Sequence, residues 1–217
     1  MRAAVVNLGL ATLAAAVPAR RAAQTSTSNA FFLVAHVTDS NHDLSPSVNN
    51  YVLSTAHTGA GMNAAILTSA PATSGRIFYE NGTADEVQAG QTHILTDGAT
   101  PPVPFGIYIQ DPSQPSSSIP INGGQGTISS ISGSDPVLTN GQGEGTFLAC
   151  NETIPYYNLN FITLHYSYDA SPAVPENCAP IVLVPQCTQL NALPDNAYSS
   201  HEFAVQVPCY EDATAAN

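Results

Sequence analysis

Proline and glycine punctuate this chain at close intervals, with 17 Pro and 15 Gly spread over 217 residues. Proline removes a backbone donor and glycine costs entropy in a helix, so long helices are disfavoured throughout. Beyond the N-terminal segment, no window of a dozen residues carries a helical i, i+3, i+4, i+7 stripe. Between the punctuation stand short runs rich in Val, Ile, Phe, Tyr and Thr. They fall at 31–38, 50–54, 64–69, 75–79, 92–96, 105–110, 119–122, 127–131, 146–150, 160–168, 180–184 and 204–207. Such runs read as strands. The expected fold is all-β: one compact antiparallel domain over residues 30–209, built as a sandwich or barrel. A β-trefoil-like arrangement is the alternative, since it uses a similar number of strands.

The first residues follow a different pattern. Arg2 precedes an apolar stretch from Ala3 to Ala16, and small residues lead through Val17-Pro18-Ala19 to Arg20-Arg21. This order matches a secretory signal peptide, and the stretch is shorter than the roughly 20 residues a bilayer span needs. Residues 1–21 are therefore expected to be a signal peptide with a dibasic pro-segment. A flexible 22–29 would follow, and residues 210–217 would form a disordered tail. Lys+Arg total 4, all of them arginine. Processing after Arg21 would leave Arg76 as the lone cation against 16 acidic residues. A chain of that charge lacks the basic face that nucleic acid or anionic membranes require.

Cysteine usage agrees with export. Four cysteines, Cys150, Cys178, Cys187 and Cys209, form an even set, which in a secreted chain reads as two disulfides. An extended Ala179–Pro185 would hold Cys178 and Cys187 roughly 30 Å apart, far beyond bridging distance. Two pairings stay open, and Cys150–Cys178 with Cys187–Cys209 is preferred. No C-x-x-C spacing points to zinc. Asn81 and Asn151 each begin an N-x-[ST] sequon and are expected to carry glycans on loops.

Local signatures of catalysis are sparse. There is no G-x-S-x-G elbow, no metal-binding histidine pair and no complete calcium loop at 39–50. The two glycine strings, Asn122-Gly123-Gly124-Gln125-Gly126-Thr127 and 140–146, read as similar turns and lack a phosphate loop's Lys. No catalytic residue, metal or cofactor is assigned. The most distinctive polar string is His57-Thr58-Gly59-Ala60-Gly61, where His57 is a candidate ligand-facing group beside a tight turn. With no Trp present, tyrosine is the residue left to stack on sugar rings. Tyr156 and Tyr157, with Tyr166 and Tyr168, are the local concentration, the last two sharing a strand face by period two.

The strings FFLVAHV (31–37), HTGAG (57–61), GRIFYENGT (75–83), ILTDGATPPVPFGI (94–107), INGGQGT (121–127), GTFLAC (145–150) and CAPIVLVPQC (178–187) carry a resemblance. Over about residues 30–187 the chain resembles a secreted ascomycete protein family of unknown function. Its Gly-x-Phe-x-Ala-Cys string, followed by Cys-x-x-Ile, is also distantly similar to PhiA-type fungal cell wall proteins. The resemblance implies a secreted, glycosylated protein of the cell surface or medium and brings no catalytic residues. The expected function is that of a non-enzymatic extracellular or wall-associated β-protein, either glycan-associated or host-facing. Its partner would be a wall glycan or an extracellular protein. The alternatives are an extracellular hydrolase acting on polysaccharide and a host-targeting effector.

Overall fold

The computed structural model describes residues 24–109, 117–169 and 171–216. The expected signal segment at 1–21 lies outside them. The strands are β1 (Thr25–Ser28), β2 (Ala30–Val37), β3 (Val52–Gly59), β4 (Met62–Thr68), β5 (Phe78–Asn81), β6 (His93–Gly98), β7 (Val103–Ile107), β8 (Ser117–Ser118) and β9 (Ile121–Gly123). They continue as β10 (Ser129–Ile131), β11 (Leu138–Asn140), β12 (Thr146–Ile154), β13 (Leu159–Ser167), β14 (Cys178–Thr188) and β15 (Val207–Tyr210). Among the described residues one short α-helix, α1 (Ala84–Ala89), and three single-turn 3-10 helices interrupt them. The fold is all-β.

Strand pairing runs along one large sheet in the order β1-β15-β14-β12-β13-β4-β3-β2-β5-β6-β7-β9, and β14 also pairs with β2. The path β2-β14-β12-β13-β4-β3 therefore returns to its start, following the barrel branch of the expectation. Closure at β2–β3 rests on Val34↔Val52, reinforced by Ala35 N–H to Tyr51 O (2.7 Å) and Asn50 N–H to Ala35 O (2.8 Å). Alternate residues fill the interior: Phe31 and Leu33 of β2, Leu53 of β3, Phe147 of β12, Leu164 of β13 and Leu183 of β14. Each such side chain contributes about 1.5–3 kcal/mol by leaving water.

β10 and β11 form a separate hairpin. Glu80 of β5 ties it down, its buried carboxylate accepting Ile131 N–H at 2.8 Å. Burial holds that carboxyl above the usual range for glutamate.

Several expectations need correction. β15 pairs with β14 in parallel through Gln186↔Tyr210, so the sheet is mixed rather than wholly antiparallel. Residues 25–28, expected to be flexible, form β1 and pair with β15 along its length. Main-chain pairing holds this polar strand, helped by Ser28 Oγ donating to Thr188 O, and it has no apolar face to announce it. The tail expected to be disordered is anchored as well. Tyr210 OH donates to Asp135 Oδ1 at 2.6 Å, and Ala213 and Ala216 are buried against Val34 and Val184. Those valines sit on the outer face of β2 and β14, and the tail covers them. The pair Asp85-Glu86 lies in the first turn of α1. Thr83 caps it, accepting Glu86 N–H while Glu86 bonds back to Thr83 N–H, and Gly90 ends it in the left-handed region (φ 64°).

Two disulfides fasten the β14 region. Cys150–Cys178 joins residues directly opposite each other on β12 and β14 (Cα–Cα 4.0 Å), and Cys187–Cys209 joins β14 to β15 (5.2 Å).

Candidate functional site

Two hairpin turns lie at one end of the barrel. The first joins β3 to β4 at Ala60-Gly61, with a register shift between His57 and Gly59. Gly61 takes φ 69°, a conformation costly for most side chains. The second joins β12 to β13 through Pro155-Tyr156-Tyr157-Asn158. Both Tyr157 N–H and Asn158 N–H donate to Ile154 O, and Asn158 takes φ 53°. Asparagine tolerates that value well. A four-residue turn has no interior, so the two tyrosines must point outward.

They do not stand alone. The His57 ring meets Tyr156 edge-on at 5.9 Å, Tyr156 meets Tyr157 at 5.0 Å, and Tyr157 tilts against Phe161 at 5.3 Å. Tyr156 is 60% exposed and Tyr157 37%. Met62 and Leu159 are exposed in the same two hairpins. A contiguous exposed group of aromatic and apolar side chains is a candidate contact surface.

A cleft of about 360 Å³ opens beside the rings. It exists because β4 and β13 pair directly only at Ile162↔Leu67 and Thr163↔Ile66, then diverge. Ile119 bridges the gap, its carbonyl accepting Ala65 N–H and its amide donating to Leu164 O. Asn63 pins the neighbouring segment, donating through Nδ2 to Ile121 O (2.9 Å) and through its amide to Asn122 Oδ1 (2.9 Å). Thr58 and Met62 form one wall, Glu152 and Ile154 the other.

Glu152 supplies the cleft's charge. Its Oε1 accepts from Thr163 Oγ1 at 2.7 Å and lies 2.9 Å from His165 Nε2. These contacts fix the carboxylate from the strand opposite, while Oε2 has no hydrogen-bond partner among the described residues. Among the described residues lining the cleft, Glu152 is the single carboxylate.

The tyrosines singled out in the sequence thus divide. His57, Tyr156 and Tyr157 come together. Tyr166 and Tyr168 do share a strand face, with rings 5.1 Å apart, but that face is the interior. Tyr166 is 3% exposed, packs edge-on against Phe147 at 4.8 Å and donates to Gly143 O at 2.9 Å. Tyr168 packs partly buried beside it and donates to Gln142 Oε1. Neither reaches the tyrosine-lined end; Tyr166 instead lines a separate cleft of about 640 Å³ beside Asn140, Gly143 and Phe147. Sequence reasoning missed Glu152, Thr163 and His165 as a group. The signal was present in the hairpin register, which sets Glu152 opposite Phe161 and so diagonal to Thr163.

Of the two sequons, Asn151 is exposed on β12, whereas Asn81 is half-buried at the end of β5 and bridges Ala204. The first sequon's threonine, Thr83, is occupied in capping α1. A second polar cluster elsewhere is internally satisfied. His201 Nε2 lies 2.8 Å from Asp97 Oδ2, Tyr79 OH donates to Asp97 Oδ1, and Arg76 donates to Thr55 Oγ1 and Asp97 O. Burial lowers the Arg76 pKa and raises that of Tyr79. This cluster braces β3, β5 and β6. Among the described residues, no helix is long and apolar enough to cross a membrane.

Comparison with known proteins adds the following. Residues 28–187 match the family model described as "Domain of unknown function (DUF7907)". The chain is 41% identical over 202 residues to "Antigenic protein SchS34" of Stachybotrys chartarum, covering 88% of this chain and 90% of that protein. No solved structure matches.

Proposed function

The chain belongs to the family described as a domain of unknown function (DUF7907), and on that footing we propose a secreted, non-enzymatic protein of the fungal exterior that holds glycan on its tyrosine-lined end. The exposed row His57–Tyr156–Tyr157 carries the reading. Ring faces stack on the apolar faces of sugars, and tyrosine adds a hydroxyl at the rim. Two disulfides fit an oxidising, extracellular setting. The relative's designation as an antigenic protein fits a molecule met outside the fungal cell. The likeness of the Gly-x-Phe-x-Ala-Cys string to PhiA-type wall proteins is consistent with the wall as the place of action.

Binding is favoured over hydrolysis by the cleft itself. Cleavage of a glycosidic bond by the usual route needs two carboxylates flanking it. Here Glu152 is the single one among the described lining residues, and its Oε1 is engaged by Thr163 and His165. The test is retention of the purified, oxidised protein on insoluble fungal and plant wall polysaccharides, with released sugars assayed in the supernatant. Retention without release, lost in Tyr156→Ala, is expected. Sugar release that tracks the pure protein would overturn the reading.

A further inference from the structure

Resting on the glycan reading, we infer that the site selects polysaccharides carrying protonated amino sugars, the de-N-acetylated kind, over neutral or N-acetylated ones. Three observations carry this. First, among the described residues the cleft beside the rings is lined by a single carboxylate and by no lysine or arginine. Thr163 and His165 hold Glu152 by Oε1, and its side chain, 37% exposed, lines the cleft with Oε2 unpartnered among the described residues. A hydrogen bond from an ammonium to a carboxylate so held is stronger than one between neutral groups.

Second, the tyrosine faces complement the same ligand. An ammonium over an aromatic face is attracted by the ring quadrupole. A sugar ring stacked on Tyr156 would bring its substituents to the cleft mouth, where Ile154 and Pro155 lead from the rings to Glu152. Third, the field of the whole molecule has the matching sign. Arg76 is the lone cation among the described residues, and it is occupied by Thr55 and Asp97. The chain holds 16 acidic residues. Such a surface gathers polycations and repels polyanions.

The experiment is calorimetric titration of the full-length, disulfide-bonded protein in mildly acidic, low-salt buffer. The probes are oligomers of glucosamine, of N-acetylglucosamine and of glucose, all of one length. The glucosamine oligomer should bind at least about tenfold more tightly than the other two, and added salt should erode the difference. Glu152→Gln keeps the side chain's shape and should abolish the preference while leaving the weaker neutral binding. Glu211→Gln removes an exposed acid outside the cleft and should leave the preference intact.

Equal affinity for all three oligomers would overturn the selectivity while leaving glycan binding standing. An equal loss of preference in Glu152→Gln and Glu211→Gln would also overturn it, by assigning the effect to diffuse surface charge. Failure of every oligomer to bind would defeat both this inference and the glycan reading beneath it.

Discussion

The β12–β13 hairpin carries two tyrosine pairs of opposite character. Tyr156 and Tyr157 sit in its turn, with their rings in water. Tyr166 and Tyr168 sit at its far end, their rings packed against each other and, for Tyr166, against Phe147. Both pairs make edge-on ring contacts at about 5 Å, as aromatic pairs prefer. The difference lies in what lies beyond the rings. Among the described residues nothing covers the turn, whereas the strand end is covered by the glycine-rich 140–146 segment, whose Gly143 carbonyl accepts a hydrogen bond from the Tyr166 hydroxyl. Ring clustering alone therefore does not separate the two pairs; what separates them is exposure, and the proposed function rests on the exposed pair.

The contrast predicts where substitution should hurt stability. Tyr166→Ala empties a core position between Phe147 and Tyr168, and should cost about 3–5 kcal/mol in chemical denaturation. A cost below about 1 kcal/mol would place Tyr166 among surface residues and erase the distinction. Next in size is the staple on the same hairpin. Replacing Cys150 and Cys178 together by serine opens a link whose ends are 28 residues apart, and should cost about 2–4 kcal/mol. Because the turn tyrosines lie beyond that link, glycan retention by the folded fraction should persist.

Tyr166→Phe sharpens the comparison further. It keeps the ring and removes only the hydrogen bond to Gly143 O, at about 1 kcal/mol. Burial raises the Tyr166 pKa, so the folded state prefers the protonated phenol. The corresponding stability is fully present below the ordinary tyrosine value of about 10 and falls as pH rises through and above it. Unfolding curves collected across the alkaline range should thus fall less steeply for Tyr166→Phe than for the unaltered protein. Burial also raises the Tyr79 and Tyr210 values, so some slope should remain. Identical slopes would mean that Tyr166 titrates alike folded and unfolded.

How much of this was legible beforehand varies by residue. The period-two rule correctly set Tyr166 and Tyr168 on one face, but alternation cannot say which face is the interior. β12 was expected to stop at Cys150, where Asn151-Glu152-Thr153 turns polar. It runs on to Ile154 because β13 continues to pair with it, through Asn151↔Ile162 and Thr153↔Asn160. α1 was readable, since Thr83-x-x-Glu86 followed by Gly90 is a capping box with a glycine stop. β1 was not, because Thr25–Ser28 has no apolar residue and owes its place to β15. Nor was the cleft, which takes its walls and floor from segments around 58–65, 118–122 and 152–163. Only the divergence of β4 from β13 brings these together, and no local pattern encodes it.

The smallest stability effect belongs to the residue the proposed function depends on most. Tyr156 is 60% exposed, and its named ring contacts are with His57 and Tyr157, both themselves open to solvent. Little apolar area returns to water when it is truncated. Tyr156→Ala should therefore shift unfolding free energy by no more than about 0.5 kcal/mol, within the ordinary range for surface changes. The same substitution should lower retention on wall polysaccharide about tenfold, since a stacked ring is worth on the order of 1–2 kcal/mol in binding. Denaturation and retention measured on one preparation separate the two effects. Large stability loss with unchanged retention would invert the assignment, making Tyr156 a packing residue and moving the search for a ligand surface elsewhere on the barrel.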